Sequence, residues 1–521
     1  MSEAPASPPK IRIFFPILFA IFPILSLYSA NLALVPIQSI FRPSVFVVGA
    51  VVFLWFLSQL ALKSVGRGAV LSSKLVLFCF LYSRMVAAIS IPNYVGYLYP
   101  WIWAFITIIG TGLATWKLTC HKLLNVLSLA LVATAVGQIG MSVFQSASLR
   151  PVIPIGDRTS GGNIAVRPDI IYIILDGFGR SDALKRALNY SSDSFVEGLE
   201  KRGFYVAKDS RANYCQTELS VGSSLNMDFL PQLLPKIAMS ESNRSPLDTI
   251  IEFNQVARYL KDRGYIFSAI TTGFPPLQFE HADVNLRSQV GLNLIESALL
   301  QMTPFTAIKV LQGSMYERRR ETILEAFIAL ESLSSKALGP RFTIVHILAP
   351  HPPFVFGANG ERMPHKGAFG FWDGSDYIQS VSSAKDYRDG YAGQAQFIGD
   401  RMLRALDSLF SGSGEKPIVL IQGDHGSKLR LDQDSLQKTD INECFPNLSA
   451  FLVPDSVRKN LYPGISPVNS FRLLFNGLFD AKFELKPDKS WYSTFPEPYR
   501  FTEVTNQIAE HSSMPSVPLP R

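Results

Sequence analysis

Two acidic side chains directly follow two apolar runs that have the length of buried strands. Residues 170–175 (IIYIIL) lead into Asp176, and residues 417–422 (PIVLIQ) lead through a glycine into Asp424 and His425. Continuous apolar runs bounded by turn residues are typical of central parallel strands. In open α/β sheets, ligands bind just outside the carboxyl ends of such strands. Carboxylates and an imidazole at that edge form a donor set that suits a divalent metal ion.

Three further polar side chains could complete a site. The hydroxyl-rich segment 210–227 enters a predicted helix, where free backbone N–H groups would favour an anion near Thr217 or a neighbouring serine. His346 lies in a third apolar run, 342–348, and His351 follows in a proline-rich loop. A hydroxyl at a helix start is usually only a cap, and one histidine is more often structural. Acid, hydroxyl and imidazole together on strand ends of one sheet indicate a catalytic centre.

The elements that must position these residues alternate between strand and helix patterns. Strands are predicted at 170–175, 204–207, 265–271, 342–348, 418–422 and 450–453. Helices are predicted at 194–202, 247–263, 315–334 and 391–410. This alternation predicts a C-terminal α/β domain with a mostly parallel sheet sandwiched by helices. The charged run 317–321 (ERRRE) is interpreted as a solvated helix face, and 355–377 as a loop that shapes an acceptor site or is mobile.

The chain before residue 145 is overwhelmingly apolar. Five stretches of about 20 residues are each long enough to cross a bilayer: 11–31, 43–62, 69–91, 98–116 and 123–144. They predict an N-terminal α-helical transmembrane bundle of five spans. Arg84 is a charge within the third span, and it either reaches the interface or has a function.

The Lys and Arg bias of the loops predicts the orientation. With a cytoplasmic N-terminus, only Arg42 lies in an outer loop, and the cations that fall inside are Lys10, Arg12, Lys63, Arg67, Lys74, Lys117 and Lys122. We therefore expect a multi-pass membrane protein whose C-terminal domain is extracytoplasmic. The predicted divisions are a disordered cytoplasmic tail (1–10), the transmembrane domain (11–145), a linker rich in Pro, Gly and Ser (146–167), the catalytic domain (168–490) and a C-terminal tail (491–521).

The net charge and the cysteines lead to two further expectations, one about nucleic acid and one about a disulfide. The net charge of +7 is modest and no basic-aromatic patch accompanies it, so we expect no binding of nucleic acid. Two cysteines of the outer domain, Cys215 and Cys444, either pair in an oxidising compartment or are two buried thiols.

These motifs resemble the alkaline phosphatase and sulfatase superfamily, in particular its membrane-anchored branch. Residues 168–180 (PDIIYIILDGFGR) are similar to its first metal strand and 423–426 (GDHG) to its second. Residues 346–354 (HILAPHPPF) are similar to its histidine-containing substrate loop. The resemblance covers roughly residues 168 to 455. It implies a bacterial inner membrane with the catalytic domain on the periplasmic side.

The nucleophile distinguishes the subclasses of that superfamily. Sulfatases carry C-x-P-S-R, of which residues 217–221 (TELSV) keep only Ser220. A threonine nucleophile is similar to the phosphoethanolamine transferases and lipoteichoic acid synthases, and residues 215–217 (CQT) resemble the Cys-x-Thr of the former. By this resemblance, Thr217 forms a covalent phospho-intermediate. The resemblance also implies one divalent metal, Mn²⁺ or Zn²⁺ with Mg²⁺ as an alternative, bound by Asp176, Thr217, Asp424 and His425.

The same resemblance suggests roles for the two histidines. His351 would steady the phosphate or protonate a leaving oxygen, and His346 would do the same or complete a second metal site. Residues 427–430 (SKLR) lack the histidine that phosphoethanolamine transferases place there for a second zinc. A single-metal site is therefore expected.

The expected protein is a membrane-bound transferase that moves a phosphorylated head group, of phosphoethanolamine or phosphoglycerol type, from a phospholipid to an extracytoplasmic glycan or glycolipid. A sulfatase-like hydrolase or phosphodiesterase of the same fold is the alternative, since it needs only water as acceptor. A third reading is a catalytically inactive binding module on a membrane scaffold. Loss of the acids, the threonine or the Asp-His pair would favour that reading, and all are present in this sequence.

Overall fold

A computed structural model of the 521-residue chain describes residues 12–30, 37–89, 121–148, 167–286, 294–307, 309–335, 340–365, 369–411 and 416–509. It divides into two compact units. The first contains Met1–Ser148 and Leu292–Gln312, and the second contains Leu149–Gly291 and Gly313–Arg521.

The first unit is built from apolar helices: α1 (Phe15–Ala30), α2 (Phe41–Leu62), α3 (Val65–Ile89) and α4 (His121–Ser148). Within the described ranges, three segments are long and apolar enough to cross a membrane: Ile37–Leu62, Val65–Ser83 and His121–Met141. Helix α1 is apolar but has only 16 residues. These helices correspond to four predicted spans. The span predicted at 98–116 and the tail at 1–10 lie outside the described residues, so the count of five spans stays a prediction.

A side chain of α4 satisfies the start of α1. Asn125 Oδ1 accepts hydrogen bonds from the backbone N–H groups of Phe14 and Phe15, at 3.2 and 3.1 Å. Asn125 Nδ2 donates to Arg12 O at 2.8 Å. The first N–H groups of a helix lack intrahelical partners, and an apolar environment makes this costly. Asn125 therefore caps α1 from a neighbouring helix.

The second unit contains a seven-stranded sheet with the order β2-β7-β6-β1-β5-β3-β4. Its strands are β1 (Ile170–Leu175), β2 (Tyr205–Val206), β3 (Ile266–Thr271), β4 (Val284–Asn285), β5 (Arg341–Ile347), β6 (Ile418–Gln422) and β7 (Ser449–Leu452). The pairs β1–β5, β1–β6, β3–β5 and β3–β4 are parallel, whereas β7 is antiparallel to both β6 and β2. The sheet is therefore mixed, with a parallel centre. The edge at β7 is antiparallel because no long crossover helix lies between β6 and β7 to return the chain to the opposite end.

The helices of residues 168–490 are α5 (Ser181–Leu188), α6 (Asp193–Lys201), α7 (Thr217–Asn226), α8 (Leu230–Leu233), α9 (Ser245–Glu252), α10 (Gln255–Lys261), α11 (Leu294–Gln301), α12 (Lys309–Glu331), α13 (Gly374–Ser380), α14 (Ala384–Phe410), α15 (Ile441–Cys444), α16 (Asp455–Arg458) and α17 (Pro467–Phe479). A large core packs β1 against α7 and α17, with Tyr172, Val221, Leu225, Phe471 and Leu474 among its buried side chains. This core fixes α7 against the central strand, which matters for the site because Thr217 begins that helix.

Local side-chain caps explain where helices differ from their prediction. The helix predicted at 247–263 is two helices, α9 and α10, because the Asn254 side chain accepts a hydrogen bond from Ala257 N at 2.8 Å and starts a new helix. Helix α14 begins earlier than predicted because Ser383 and Asp386 form a capping box.

Three segments differ from the predicted domain limits. Helix α11, from the middle of the region 168–490, belongs to the first unit. Its Ile295 and Leu299 pack with Ala20 and Ile24 of α1, and its Glu296 pairs with Arg42.

The start of the predicted C-terminal tail, 491–521, is folded. It forms the two-stranded sheet of β8 (Trp491–Tyr492) and β9 (Thr502–Glu503), and the side chains of Tyr492 and Val504 are buried. Helix α4 likewise runs to Ser148, into the predicted linker. Residues 149–166 and 510–521 lie outside the described part.

Candidate active site

The ends of the two central strands bring the predicted acids together. Strands β1 and β6 are parallel neighbours with Ile174 in register with Gln422, so the residues after each strand emerge at one edge. Asp176, Asp424 and His425 are buried there, with one possible ligand atom of each within 4.8 Å of the others. His425 Nε2 lies 3.2 Å from Asp424 Oδ2 and 3.7 Å from Asp176 Oδ1.

Two glycines let these strand ends approach. Gly177 has a φ of 73°, in the region that favours glycine, and its N–H donates to Asp424 Oδ1 at 2.9 Å. A Cβ added to Gly423 would lie only 2.1 Å from Phe178 O. The two turns therefore need glycine so that the acids can face each other.

Thr217 enters this cluster from the first residue of α7. Its Oγ1 lies 3.2 Å from His425 Nε2 and 3.5 Å from Asp176 Oδ2. The preceding Gln216 is extended and makes no side-chain cap, and Thr217 itself is 6% exposed. The hydroxyl thus lies at a buried helix N-terminus, where backbone N–H groups stabilise negative charge. All four residues predicted to bind a metal come together.

Two features of the cluster suit a divalent cation: carboxylate oxygens without hydrogen-bond partners, and the tautomer of His425. His425 Nδ1–H donates to Gly426 O at 2.8 Å, which leaves the Nε2 lone pair facing the two carboxylates. Among the described residues, Asp176 Oδ1 and Asp424 Oδ2 have no hydrogen-bond partner. Burial, together with the Asp424 charge, raises the pKa of Asp176, and burial lowers the pKa of His425 well below its ordinary value. A cation between these groups would remove the repulsion among their lone pairs.

His346 contacts the cluster from the end of β5. Its Nε2 lies 3.1 Å from Asp176 Oδ2, and burial lowers the pKa of its imidazole to about 4. The neutral ring therefore donates from Nε2 to the carboxylate. The structure shows one group of acids, histidines or cysteines suited to a metal within its described ranges, and His346 is outside that group.

His351 faces a different acid. Its backbone N–H donates to Asp176 O at 3.1 Å, and its side chain contacts Pro352 and Asp373. Nδ1 lies against Pro352 O, and Nε2 lies 3.4 Å from Asp373 Oδ2. Carbonyl and carboxylate oxygens only accept, so both contacts are satisfied when both ring nitrogens carry hydrogen. This geometry suits a proton donor.

Asp373 lies at the centre of a buried polar network. Its Oδ1 accepts a hydrogen bond from the Tyr387 hydroxyl at 2.7 Å, and its Oδ2 lies 3.7 Å from Lys428 Nζ. Burial would raise the pKa of Asp373, but His351, Lys428 and the Tyr387 hydroxyl outweigh it and lower that pKa. Burial would likewise lower the pKa of Lys428, but Asp373, Asp176 and Asp424 raise it. Both Asp373 and Lys428 are therefore ionised beside the cluster.

Comparisons with known proteins return similar structures but no relative by sequence. No protein-family model and no curated protein matches the chain. The integral membrane protein lipooligosaccharide phosphoethanolamine transferase A from Neisseria meningitidis matches over 91% of this chain and 96% of its own, with 12% identity and a TM-score of 0.40. The C-terminal periplasmic domain of EcEptC from Escherichia coli, in complex with Zn, matches over 68% of this chain and 96% of its own, with 10% identity and a TM-score of 0.41.

A third match is a protein of the alkaline phosphatase superfamily from Vibrio parahaemolyticus. It covers 64% of this chain and 75% of its own, with 12% identity and a TM-score of 0.35. The matched proteins include a phosphoethanolamine transferase and a member of the alkaline phosphatase superfamily, the groups that the sequence motifs resemble. Because identities and TM-scores are low, the activity proposed below is argued from the chain's own residues.

Three polar residues near the cluster were missed from the sequence. Asp373 lies in the loop interpreted as acceptor-shaping or mobile, and it is buried as the cap of α13. In the sequence, Lys428 stands out only as part of a departure from the family pattern, although its position three residues after His425 could have indicated it. Arg319 belongs to the run 317–321, which was interpreted as a solvated face. That interpretation is wrong for Arg319, which is 4% exposed.

The structure also shows where Ser220 and the two cysteines of the outer domain lie. The Ser220 hydroxyl donates to Asp424 O at 2.6 Å, one turn into α7, so it supports the second strand end rather than joining the cluster. Cys215 and Cys444 are free thiols, both buried in one apolar cluster with Phe445 and Tyr492. Of the two alternatives for these cysteines, a disulfide or two buried thiols, the structure therefore has the second.

Proposed function

We propose that this chain is a membrane-bound, metal-dependent transferase. It would move a phosphorylated head group, of phosphoethanolamine or phosphoglycerol type, from a phospholipid to an extracytoplasmic glycan or glycolipid through a phospho-threonine intermediate. One observation carries the proposal: the Thr217 hydroxyl lies at a helix N-terminus within 3.5 Å of Asp176 Oδ2 and 3.2 Å of His425 Nε2. Nucleophile and metal-type ligands therefore share one buried point.

Asp176, Thr217, Asp424 and His425 would hold the metal, three oxygens and one nitrogen. When bound, such a cation neutralises charge on a phosphoryl group and lowers the pKa of a coordinated hydroxyl. The oxygen-rich set is compatible with Mn²⁺, Zn²⁺ or Mg²⁺.

The chain's own residues supply the transfer steps. In the first step a bond forms between Thr217 Oγ1 and phosphorus, and the bond from phosphorus to the diacylglycerol oxygen breaks. The Thr217 hydroxyl releases its proton to solvent as this bond forms, and the leaving diacylglycerol oxygen takes a proton from His351. In the second step an acceptor hydroxyl attacks phosphorus and gives its proton to His351, and the bond from phosphorus to Thr217 Oγ1 breaks, with Oγ1 taking a proton from solvent. Asp373 keeps the imidazole oriented through both steps.

The apolar helices support the choice of a lipid donor. Helices α2, α3 and α4 contain the three membrane-length segments of the described chain. A soluble phosphate ester would require no such anchor, whereas a phospholipid donor is itself part of the bilayer. With the predicted orientation, the site would be on the periplasmic side.

The test is a transfer assay with the purified full chain, fluorescent phospholipids of defined head group and a lipid A or glucosyl-diacylglycerol acceptor. We expect fluorescent diacylglycerol and a modified acceptor, both abolished by chelator and restored by Mn²⁺ or Zn²⁺. Diacylglycerol with free phosphorylated head group and no modified acceptor would instead indicate a phosphodiesterase. Absence of any product across the lipid panel would contradict the proposal.

A further inference from the structure

Arg319 carries a guanidinium group that is buried with two free donors. Its Nε and Nη2 have no hydrogen-bond partner among the described residues. Only Nη1 is bonded, donating to Thr272 O at 3.3 Å. The preceding residue shows what an ordinary arginine of this helix does, since Arg318 pairs with Glu321 at the surface at 3.1 Å. Taking a guanidinium out of water without an anion is costly, so an unpaired one needs an explanation.

The group lies at the catalytic edge of the sheet. Thr272, its one hydrogen-bond partner, directly follows β3, and the Thr272 hydroxyl donates to His346 O at 3.2 Å. His346 in turn contacts Asp176. Arg319 is thus connected to the cluster through adjacent strand ends, and its Cζ lies 5.5 Å from the centre of the Phe371 ring.

Arg319 interacts electrostatically with Asp176 and His346. Burial lowers the pKa of Arg319 to about 9, and the Asp176 carboxylate acts in the opposite direction. The Arg319 charge contributes to lowering the pKa of His346, after the larger effect of burial. The guanidinium is therefore charged at neutral pH and within electrostatic reach of both residues.

We propose that Arg319 binds two oxygens of the anionic phosphoryl group on which Thr217 acts, with Nε and Nη2 as paired donors. The planar fork of a guanidinium matches two oxygens of a phosphate, which a lysine cannot do. This identification of the anion rests on the proposed function. The bond from Nη1 to Thr272 fixes the plane of the fork, and the substrate supplies the missing counter-charge.

The experiment measures binding of inorganic phosphate to the full-length, metal-loaded protein by isothermal titration calorimetry, together with thermal unfolding in phosphate-free buffer. The variants are Arg319→Met, Arg319→Lys and the matched control Arg318→Gln, which removes one charge from the same helix turn. We expect Arg319→Met to bind phosphate about 10- to 100-fold more weakly, as loss of charge-assisted bonds predicts. Arg319→Lys should be intermediate because it keeps the charge without the fork. The control should stay within about twofold of the unmodified protein.

The unfolding temperature separates binding from a structural role. Because Arg319→Met removes an unpaired buried charge, it should unfold at the same or a higher temperature than the unmodified protein. A lower unfolding temperature with unchanged phosphate affinity would show that Arg319 is structural and overturn the proposal. Failure of the unmodified protein to bind phosphate would also overturn it.

Outcomes for the two proposals are distinguishable. Phosphate binding that depends on Arg319 in a protein that fails the lipid transfer assay would support Arg319 and refute the donor lipid. Full lipid transfer by Arg319→Met, with unchanged kcat/KM, would refute Arg319 and leave the transferase intact.

Discussion

Replacing Asp373 with Asn tests the network that orients His351. The change removes the charge but keeps an oxygen that can accept from Tyr387. It leaves Lys428, which is 6% exposed, without the carboxylate 3.7 Å away. Breaking a buried charge pair costs about 3–5 kcal/mol of stability. We expect the lower end of that range because the two charges are 3.7 Å apart. At about 2–4 °C per kcal/mol, the unfolding midpoint should fall by roughly 6 to 12 °C.

The same substitution should lower turnover. Without Asp373 the His351 ring loses the partner of its Nε2, so proton donation to the leaving oxygen is impaired. General acid catalysis contributes about 10²–10⁴-fold, and we expect a fall of kcat of about 10²-fold for Asp373→Asn. Thermal unfolding monitored by intrinsic fluorescence and steady-state transfer kinetics measure the two effects.

A matched control lies one turn further along α13. Asp376 is also a carboxylate, but burial and the neighbouring carboxylates of Asp434 and Asp373 raise its pKa, whereas nearby cationic groups lower the pKa of Asp373. Asp376→Asn should keep the unfolding midpoint and kcat. The double variant Asp373→Asn with Lys428→Met should recover part of the lost stability, since it removes the unpaired charge. Equal midpoints for Asp373→Asn and Asp376→Asn would refute the reasoning.

Two further predictions concern topology and metal. A reporter fused after residue 145 should be active in the periplasm, and one fused between Lys63 and Lys74 should be active in the cytoplasm. A cytoplasmic C-terminal domain would contradict both this topology and a lipid donor on the periplasmic face. Elemental analysis of the purified full chain should give about one Mn²⁺ or Zn²⁺ per chain, lost with Asp424→Asn, because the described residues offer one cluster of metal ligands. Two tightly bound ions per chain would contradict the single-metal site.

The sequence predicted the central part of the site because strand ends carry their own signal. An apolar run that stops at an acid fixes where the acid lies in a parallel sheet, so Asp176, Asp424 and His425 could be placed without tertiary information. Thr217 was predicted by position at a helix start and by the Cys-x-Thr resemblance. The central strands coincide with their prediction for the same reason.

The residues that were missed depend on tertiary packing. Arg319 and Arg318 are adjacent and identical in type, yet one is buried and the other is at the surface; a short charged run contains too little periodicity to distinguish them. Asp373 lies in a loop whose burial comes from α14, through Tyr387. The antiparallel edge at β7 likewise follows from the path of the chain after β6, not from the strand's own pattern.

The most direct test of the central claim is to locate the covalent adduct. The full chain is trapped with donor lipid, digested and analysed by mass spectrometry, with Thr217→Ala, Thr217→Ser and Ser220→Ala as variants. We predict a phosphorylated head group on Thr217, partial activity for Thr217→Ser, and no adduct for Thr217→Ala with turnover reduced by several orders of magnitude. Ser220→Ala, which removes a bond to the Asp424 backbone, should still form the adduct. An adduct on Ser220, or an active Thr217→Ala protein, would contradict the account.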